Sequence, residues 1–142
     1  MKIKGKKRHL LVDTLGLILH GVVHAADIQD RDGAMLVLNE HARRLFRFLE
    51  KIFTDSAYAG QKLRQAMAGS EWQIEVVKRN PDAKGFEVIA KRWVVERTIA
   101  WINRCRRLAK DYENLNRTAI AFIRLASIRL MLRRITRYCY PS

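Results

Sequence analysis

Cysteine is nearly absent from this 142-residue chain: Cys105 and Cys139 are the only two, and they form no Cys-x-x-Cys pair. That excludes a zinc-ribbon or disulfide framework and fits a reducing, cytoplasmic setting. Proline is as scarce, with two residues, and no Pro/Gly/Ser-rich linker, repeat or low-complexity segment interrupts the sequence. A single domain over 1–142 is therefore expected, in line with the usual ~100–200 residues per domain. Long apolar runs are missing too. The longest uncharged stretch, Thr14 to Ala26, is too short to span a bilayer and contains His20 and His24. Lys2, Lys4, Lys6, Lys7 and Arg8 resemble the start of a signal peptide, but Asp13 breaks the apolar stretch that should follow. The histidines His9, His20, His24 and His41 lack ligand spacing, so strand or surface roles are expected, and no Ser-His-Asp or Cys-His arrangement is visible.

The remaining scarcity is of acid. Asp and Glu total 14 against 28 Lys and Arg, a formal net charge of +14. The excess is uneven: residues 1–77 carry 12 basic and 9 acidic residues, residues 78–142 carry 16 and 5. Such a chain suits a polyanionic partner, either nucleic acid or an anionic membrane surface. About half of the residues are apolar (49%), enough for a buried core.

Periodicity predicts an α/β fold. Arg8 to Val12 and Leu17 to Ala25 read as strands joined by turn residues Asp13-Thr14-Leu15-Gly16, a β-hairpin. Asp30 or Asp32 is placed to cap a helix running to about Phe48, with Met35, Leu38, Ala42, Leu45 and Leu49 on one face. A strand at 51–54, a helix from Tyr58 to about Ala68 and a strand at 72–77 follow, the intervening helix being long enough for a parallel crossover. Asn80-Pro81-Asp82 breaks the chain before helices at roughly 86–108 and 115–137. In the last helix Ala121, Leu125, Ile128, Leu132 and Ile135 form an apolar stripe expected to pack on the core. Arg129, Arg133 and Arg137 form a basic stripe, either solvated or laid along duplex phosphates. Ile120, Ile123 and Leu130 leave a second apolar surface that suits burial in protein, against membrane adsorption.

Two acids stand out. Asp55 follows the strand Lys51-Ile52-Phe53-Thr54, and a strand's carboxyl end is a recurrent active-site position in open α/β sheets. An N-cap or Asx-turn is the alternative role for it. Glu96 lies mid-helix, with Ile89, Trp93, Ala100 and Asn103 predicted on its face; a carboxylate there is costly to bury unless paired or metal-bound. Arg92, four residues earlier, offers a plain intrahelical ion pair, or a contact to phosphate. An acid at a strand's end plus one on a later helix is an arrangement that can hold Mg²⁺ for phosphoryl transfer.

Five stretches in order carry a family resemblance: Lys4-Gly5-Lys6-Lys7-Arg8-His9-Leu10-Leu11-Val12-Asp13-Thr14-Leu15-Gly16; Asp27-Ile28-Gln29-Asp30-Arg31-Asp32-Gly33-Ala34; Thr54-Asp55-Ser56-Ala57-Tyr58-Ala59-Gly60; Arg92-Trp93-Val94-Val95-Glu96-Arg97-Thr98; and Arg104-Cys105-Arg106-Arg107-Leu108-Ala109-Lys110-Asp111-Tyr112-Glu113. Across nearly its whole length the chain resembles the carboxyl-terminal half of a D-D-E transposase from a bacterial insertion sequence of the insertion-sequence-five group. The resemblance implies an RNase H-like mixed sheet, here lacking its first strand, flanked by helices and ending in a helical carboxyl-terminal region. It implies three carboxylates holding two Mg²⁺ ions, with Mn²⁺ as a substitute. Asp55 matches the second acid and Glu96 the third, and Arg92 with Glu96 reproduces the family's Arg-x-x-x-Glu. The family's Tyr is Ile89 here, and its Lys is Asn103 with Arg104 adjacent. The first Asp falls before Met1, as does the amino-terminal DNA-binding segment, so the fragment is expected to be inactive alone. Among local acids Asp27 is the best substitute, provided that the strand ending at Ala25 runs parallel to that ending at Thr54, although Asp27, Asp30 and Asp32 also suit a loop and helix cap.

The expected activity is DNA transposition: phosphodiester cleavage at element ends and strand transfer to target DNA. Arg92, Arg104, Arg106, Arg107, Lys110, Arg129, Arg133 and Arg137 would contact the backbone of double-stranded DNA. An upstream-encoded transposase half, or a full-length transposase, is the expected protein partner, and the location is the bacterial cytoplasm at the nucleoid. The competing reading is a non-catalytic DNA-binding remnant that inhibits a full-length transposase. A ribosomal-type RNA-binding protein explains charge and size, but not the two placed acids.

Overall fold

The computed structural model describes residues 5–58, 60–77 and 91–139, apart from the side chain of Arg92. Strands β1 (Lys6–Val12) and β2 (Ile18–Ala25) form the expected antiparallel hairpin, pairing from Lys6↔Ala25 to Val12↔Ile18 with an irregularity between Leu11 and Val12. Asp13 builds its tip: Oδ1 accepts the amides of Leu15 (2.9 Å) and Leu17 (2.7 Å), and Gly16 at φ +82° supplies the left-handed residue.

The helix expected from about Asp30 to Phe48 is two helices, α1 (Asp30–Val37) and α2 (Glu40–Leu45). Asn39 explains the break. Its Nδ2 donates to Leu36 O at 2.9 Å, closing α1, while its Oδ1 accepts Ala42 N–H at 2.9 Å, opening α2. Asp30 and Asp32 occupy the first turn of α1, where the helix dipole favours them, while the capping position belongs to Gln29.

Strand β3 (Lys51–Thr54) leads through a 3₁₀ turn (Ser56–Tyr58) into α3 (Gln61–Met67), and β4 (Gln73–Val76) returns parallel to β3 in the register Lys51↔Gln73 to Thr54↔Val76. The parallel crossover was expected; a continuous sheet is not seen. Among the described residues the strands form two separate two-stranded sheets, β1-β2 and β3-β4. The remaining elements are α4 (Arg92–Asn103), a 3₁₀ turn (Arg106–Leu108) and α5 (Asn116–Cys139). The predicted break at Asn80-Pro81-Asp82 and the start of the predicted helix at 86 lie outside the described residues.

Two apolar clusters sandwich the hairpin. On one face Leu11 joins Val37 and Leu38 at the end of α1, Ile52 of β3, Leu63 and Met67 of α3, and Trp72. On the other, Val23 meets Ile102 of α4, Leu108, and Ala119, Ile123 and Ala126 of α5. The stripe of α5 expected on the core faces solvent instead: Ala121, Leu125, Ile128, Leu132 and Ile135 are all exposed. Its buried side is Ala119, Ile123, Ala126 and Ser127. Ile123 is the one large side chain on that buried side, and the alanines and serine around it let the helix lie close to the hairpin.

Candidate active site and nucleic-acid interface

Asp55 lies half-buried directly after β3. Its Oδ1 accepts the Ala57 amide at 2.9 Å and its carbonyl accepts that of Tyr58 at 3.2 Å, so the carboxylate shapes an Asx-turn. The turn delivers Tyr58 to the hairpin, where its hydroxyl meets His9 Nδ1 at 2.7 Å. Burial, followed by the charges of Asp30 and Asp55, pushes the Tyr58 hydroxyl up to about 12, so it stays protonated. His9 stacks on His24 with ring centroids 4.6 Å apart and planes 15° apart. His24 Nδ1–H donates to Ala25 O at 2.7 Å. Both rings are buried, and neither Nε2 has a partner among the described residues. Burial lowers the pKa of His9 below its usual value, His24 and Lys7 lower it further, and Asp30 opposes them. Lys7 ties the hairpin to α1 through Asp30 (3.0 Å) and Ile28 O (2.9 Å). The acid beside this cluster is thus Asp30; Asp27 is exposed. Nor is β2 paired with β3, the condition on which Asp27 was a candidate.

Glu96 is exposed on α4, which corrects the expectation of an apolar setting. The helix buries Thr98 and Ile102, a face that turns Glu96 away; Ile89 lies outside the described residues, and so does the Arg92 side chain. Thr98 fixes the helix: fully buried, it donates from Oγ1 to Gly16 O at the hairpin tip (2.8 Å), with Val94 O also within reach at 3.0 Å. The two acids are therefore anchored at different points of the hairpin, Asp55 through Tyr58 to His9 and Glu96 through Thr98 to Gly16. A contact among the described residues links the two regions. Lys91 Nζ, just before α4, sits 3.7 Å from the ring centroid of Phe53, two residues before Asp55.

The basic residues divide into held and open ones. Arg107 is paired with Glu113 and lies over the rings of Tyr112 and Phe122. Arg129 reaches Cys105 Sγ at 3.8 Å. Arg104, Arg106, Lys110, Arg133 and Arg137 are exposed to solvent. Sequence reasoning passed over Arg97 and Arg134, which lie against Trp93 and Trp101; the spacing 93, 97, 101 on one helix face was the available signal.

Carboxylates are the right donors for Mg²⁺, being hard oxygen ligands. Yet no group of three or more His, Cys, Asp or Glu side chains able to hold a metal occurs among the described residues. The donor chemistry fits, and among the described residues the number of donors falls short. No helix among the described residues is long and apolar enough to cross a membrane.

Comparison with known proteins agrees with the sequence resemblance. The family model for the transposase DDE domain matches residues 2–131. A Burkholderia cepacia protein named as a transposase for insertion sequence element IS402 is 25% identical over 130 residues, covering 85% of this chain. The chain spans 60% of that relative's length. No solved structure matches.

Proposed function

The chain belongs to the transposase DDE domain family, and from that premise we propose that it is part of the catalytic core of an insertion-sequence transposase acting on double-stranded DNA. Asp55 and Glu96 supply two of the carboxylates of a divalent-cation site, and a third comes from outside the described residues. The observation that carries this is the family match over residues 2–131, together with Asp55 at the end of β3. The sheet arrangement supports it. β1-β2 and β3-β4 share one apolar cluster without pairing to each other, as a sheet lacking an interior strand would. Mg²⁺ or Mn²⁺ bound there would stabilise charge on the phosphodiester and on the attacking and leaving oxygens. The chain's own part is positional: the Asx-turn and the Tyr58–His9 bond hold Asp55, the Thr98–Gly16 bond fixes the helix that carries Glu96, and exposed arginines neutralise phosphates.

The test is a reconstituted cleavage assay on element-end DNA, in which the chain is combined with an upstream segment of a full-length relative as a source of the third carboxylate. Asp55→Asn and Glu96→Gln should each abolish Mg²⁺-dependent cutting while leaving DNA binding intact. Undiminished cutting by both variants would remove the assigned roles. A second reading, a non-catalytic DNA-binding partner of a full-length transposase, is favoured by the absence of a three-donor group among the described residues. It predicts binding to element DNA and inhibition in trans, with no cleavage after reconstitution.

A further inference from the structure

The outward face of α5 is apolar, and no element among the described residues covers it. Ala121, Leu125, Ile128, Leu132 and Ile135 follow one another at intervals of 4, 3, 4 and 3 residues. That spacing keeps one seam of a helix turned toward a second helix over successive turns. The seam is narrow, and it lies on the side of α5 opposite the buried Ala119, Ile123, Ala126 and Ser127. Leu125 is 60% exposed, Ile128 47%, Leu132 56% and Ile135 58%. Single exposed apolar side chains are ordinary, whereas a contiguous row of them marks a surface that takes a partner. Arginines border the row. Leu125 and Leu132 are heptad a positions and Ile128 and Ile135 are d positions, which puts Arg124 at g and Arg129 at e. Arg117, one heptad before Arg124, extends the same edge. In all, α5 carries six arginines and no acid.

These features discriminate among occupants. A second copy meets like charge: in a parallel self-pair Arg124 faces Arg129 of the other copy, the g-to-e contact that sets partner choice in coiled coils. Duplex phosphates would satisfy the arginines and give the leucines and isoleucines nothing apolar to lie on. A lipid surface takes a broad apolar face rather than a narrow a/d seam. A helix with Leu or Ile at its own a and d positions, and Glu or Asp at e and g, satisfies seam and border together. We propose that α5 docks an acidic amphipathic helix of a partner protein along residues 121–135. The inference goes beyond the transposase reading and does not depend on it. Arg133 and Arg137 lie off the seam, at b and f positions, so they remain available to phosphate while the partner helix is bound.

The experiment is fluorescence anisotropy of the full chain with two labelled peptides of identical composition, each about three heptads long. One carries Leu at a and d with Glu at e and g; the other has the same residues in scrambled order. The ordered peptide should bind at least ~10-fold more tightly, because only it presents its leucines on one face beside its charges. Ile128→Ala and Leu132→Ala, both at exposed positions, should each weaken it ~10-fold while leaving Tm and duplex affinity unchanged. Arg124→Glu should weaken the same peptide and strengthen a version with Lys at e and g. Equal affinity for the ordered and scrambled peptides, or undiminished binding in both alanine variants, overturns the proposal. So does dimerisation of the chain in sedimentation that Leu132→Ala abolishes, which would assign the seam to a second copy. Adsorption to phosphatidylserine vesicles that Leu132→Ala weakens would assign it to lipid, and overturns the proposal equally.

Discussion

Replacing Gly33 with alanine sets two effects of opposite sign against each other. Gly33 lies inside α1, and in an exposed helix the change would gain about 1 kcal/mol of helix propensity. Here, however, a Cβ would stand 2.4 Å from His9 Nε2 and 2.8 Å from His24 Nε2, both well inside contact distance. The rings cannot easily retreat. His9 is held at Tyr58, His24 at Ala25 O, and each is stacked on the other. Overpacking of this kind costs about 1–3 kcal/mol, and with two clashes on two held rings the upper end applies. The net loss is about 2 kcal/mol, which for a chain of this size lowers Tm by roughly 6–10 °C. Thermal denaturation followed by circular dichroism measures it. In a His24→Ala background the penalty should shrink, because one wall of the clash is gone. A Gly33→Ala protein with raised Tm would refute the account of the histidine seam.

Three further outcomes follow from the same contacts. The folded protein holds His9 and His20 below their ordinary pKa, both chiefly by burial, so the unfolded chain takes up protons first. Their contribution to stability is therefore complete above about pH 6.5 and falls as the pH drops below it, so urea midpoints should decline from pH 8 to pH 5.5 and decline less in His9→Gln. Thr98→Val keeps the shape but leaves Gly16 O buried without its donor, and should cost about 1–3 kcal/mol in urea unfolding. Neutralising Arg129, Arg133 and Arg137 together should weaken duplex binding and reduce the slope of log K against log salt by about 3, measured by fluorescence anisotropy.

Local chemistry was legible where a few residues decide the outcome. Asp13 and Gly16 marked the hairpin tip, short β-like runs and the Leu/Val/Ile-rich stretch after Gly16 marked the first three strands, and alternation marked β4. What failed was the choice of face on helices with more than one apolar side. In α5 the Leu/Ile stripe was the stronger periodic signal, yet the buried face is Ala119, Ile123, Ala126 and Ser127, of which the second apolar surface had marked only Ile123. In α4 counting from Glu96 gave the wrong inner face, because Thr98 and Ile102 are the buried residues. Asn39 satisfies two helices at once, a role that periodicity cannot register. At the site, Asp55 and Glu96 stood out as chemistry, while His9, His24 and Tyr58 did not. Their meeting depends on the hairpin register and on the turn after β3, both long-range facts.

The shared cation site can be read without turnover by adding Mn²⁺ to isotopically labelled protein and following paramagnetic broadening of backbone amides. The account predicts that signals around Asp55 and around Glu96 fade together at the same low Mn²⁺ concentration, and that Asp55→Asn protects both. Fading at one of the two alone, or at neither while other acids respond, would contradict it.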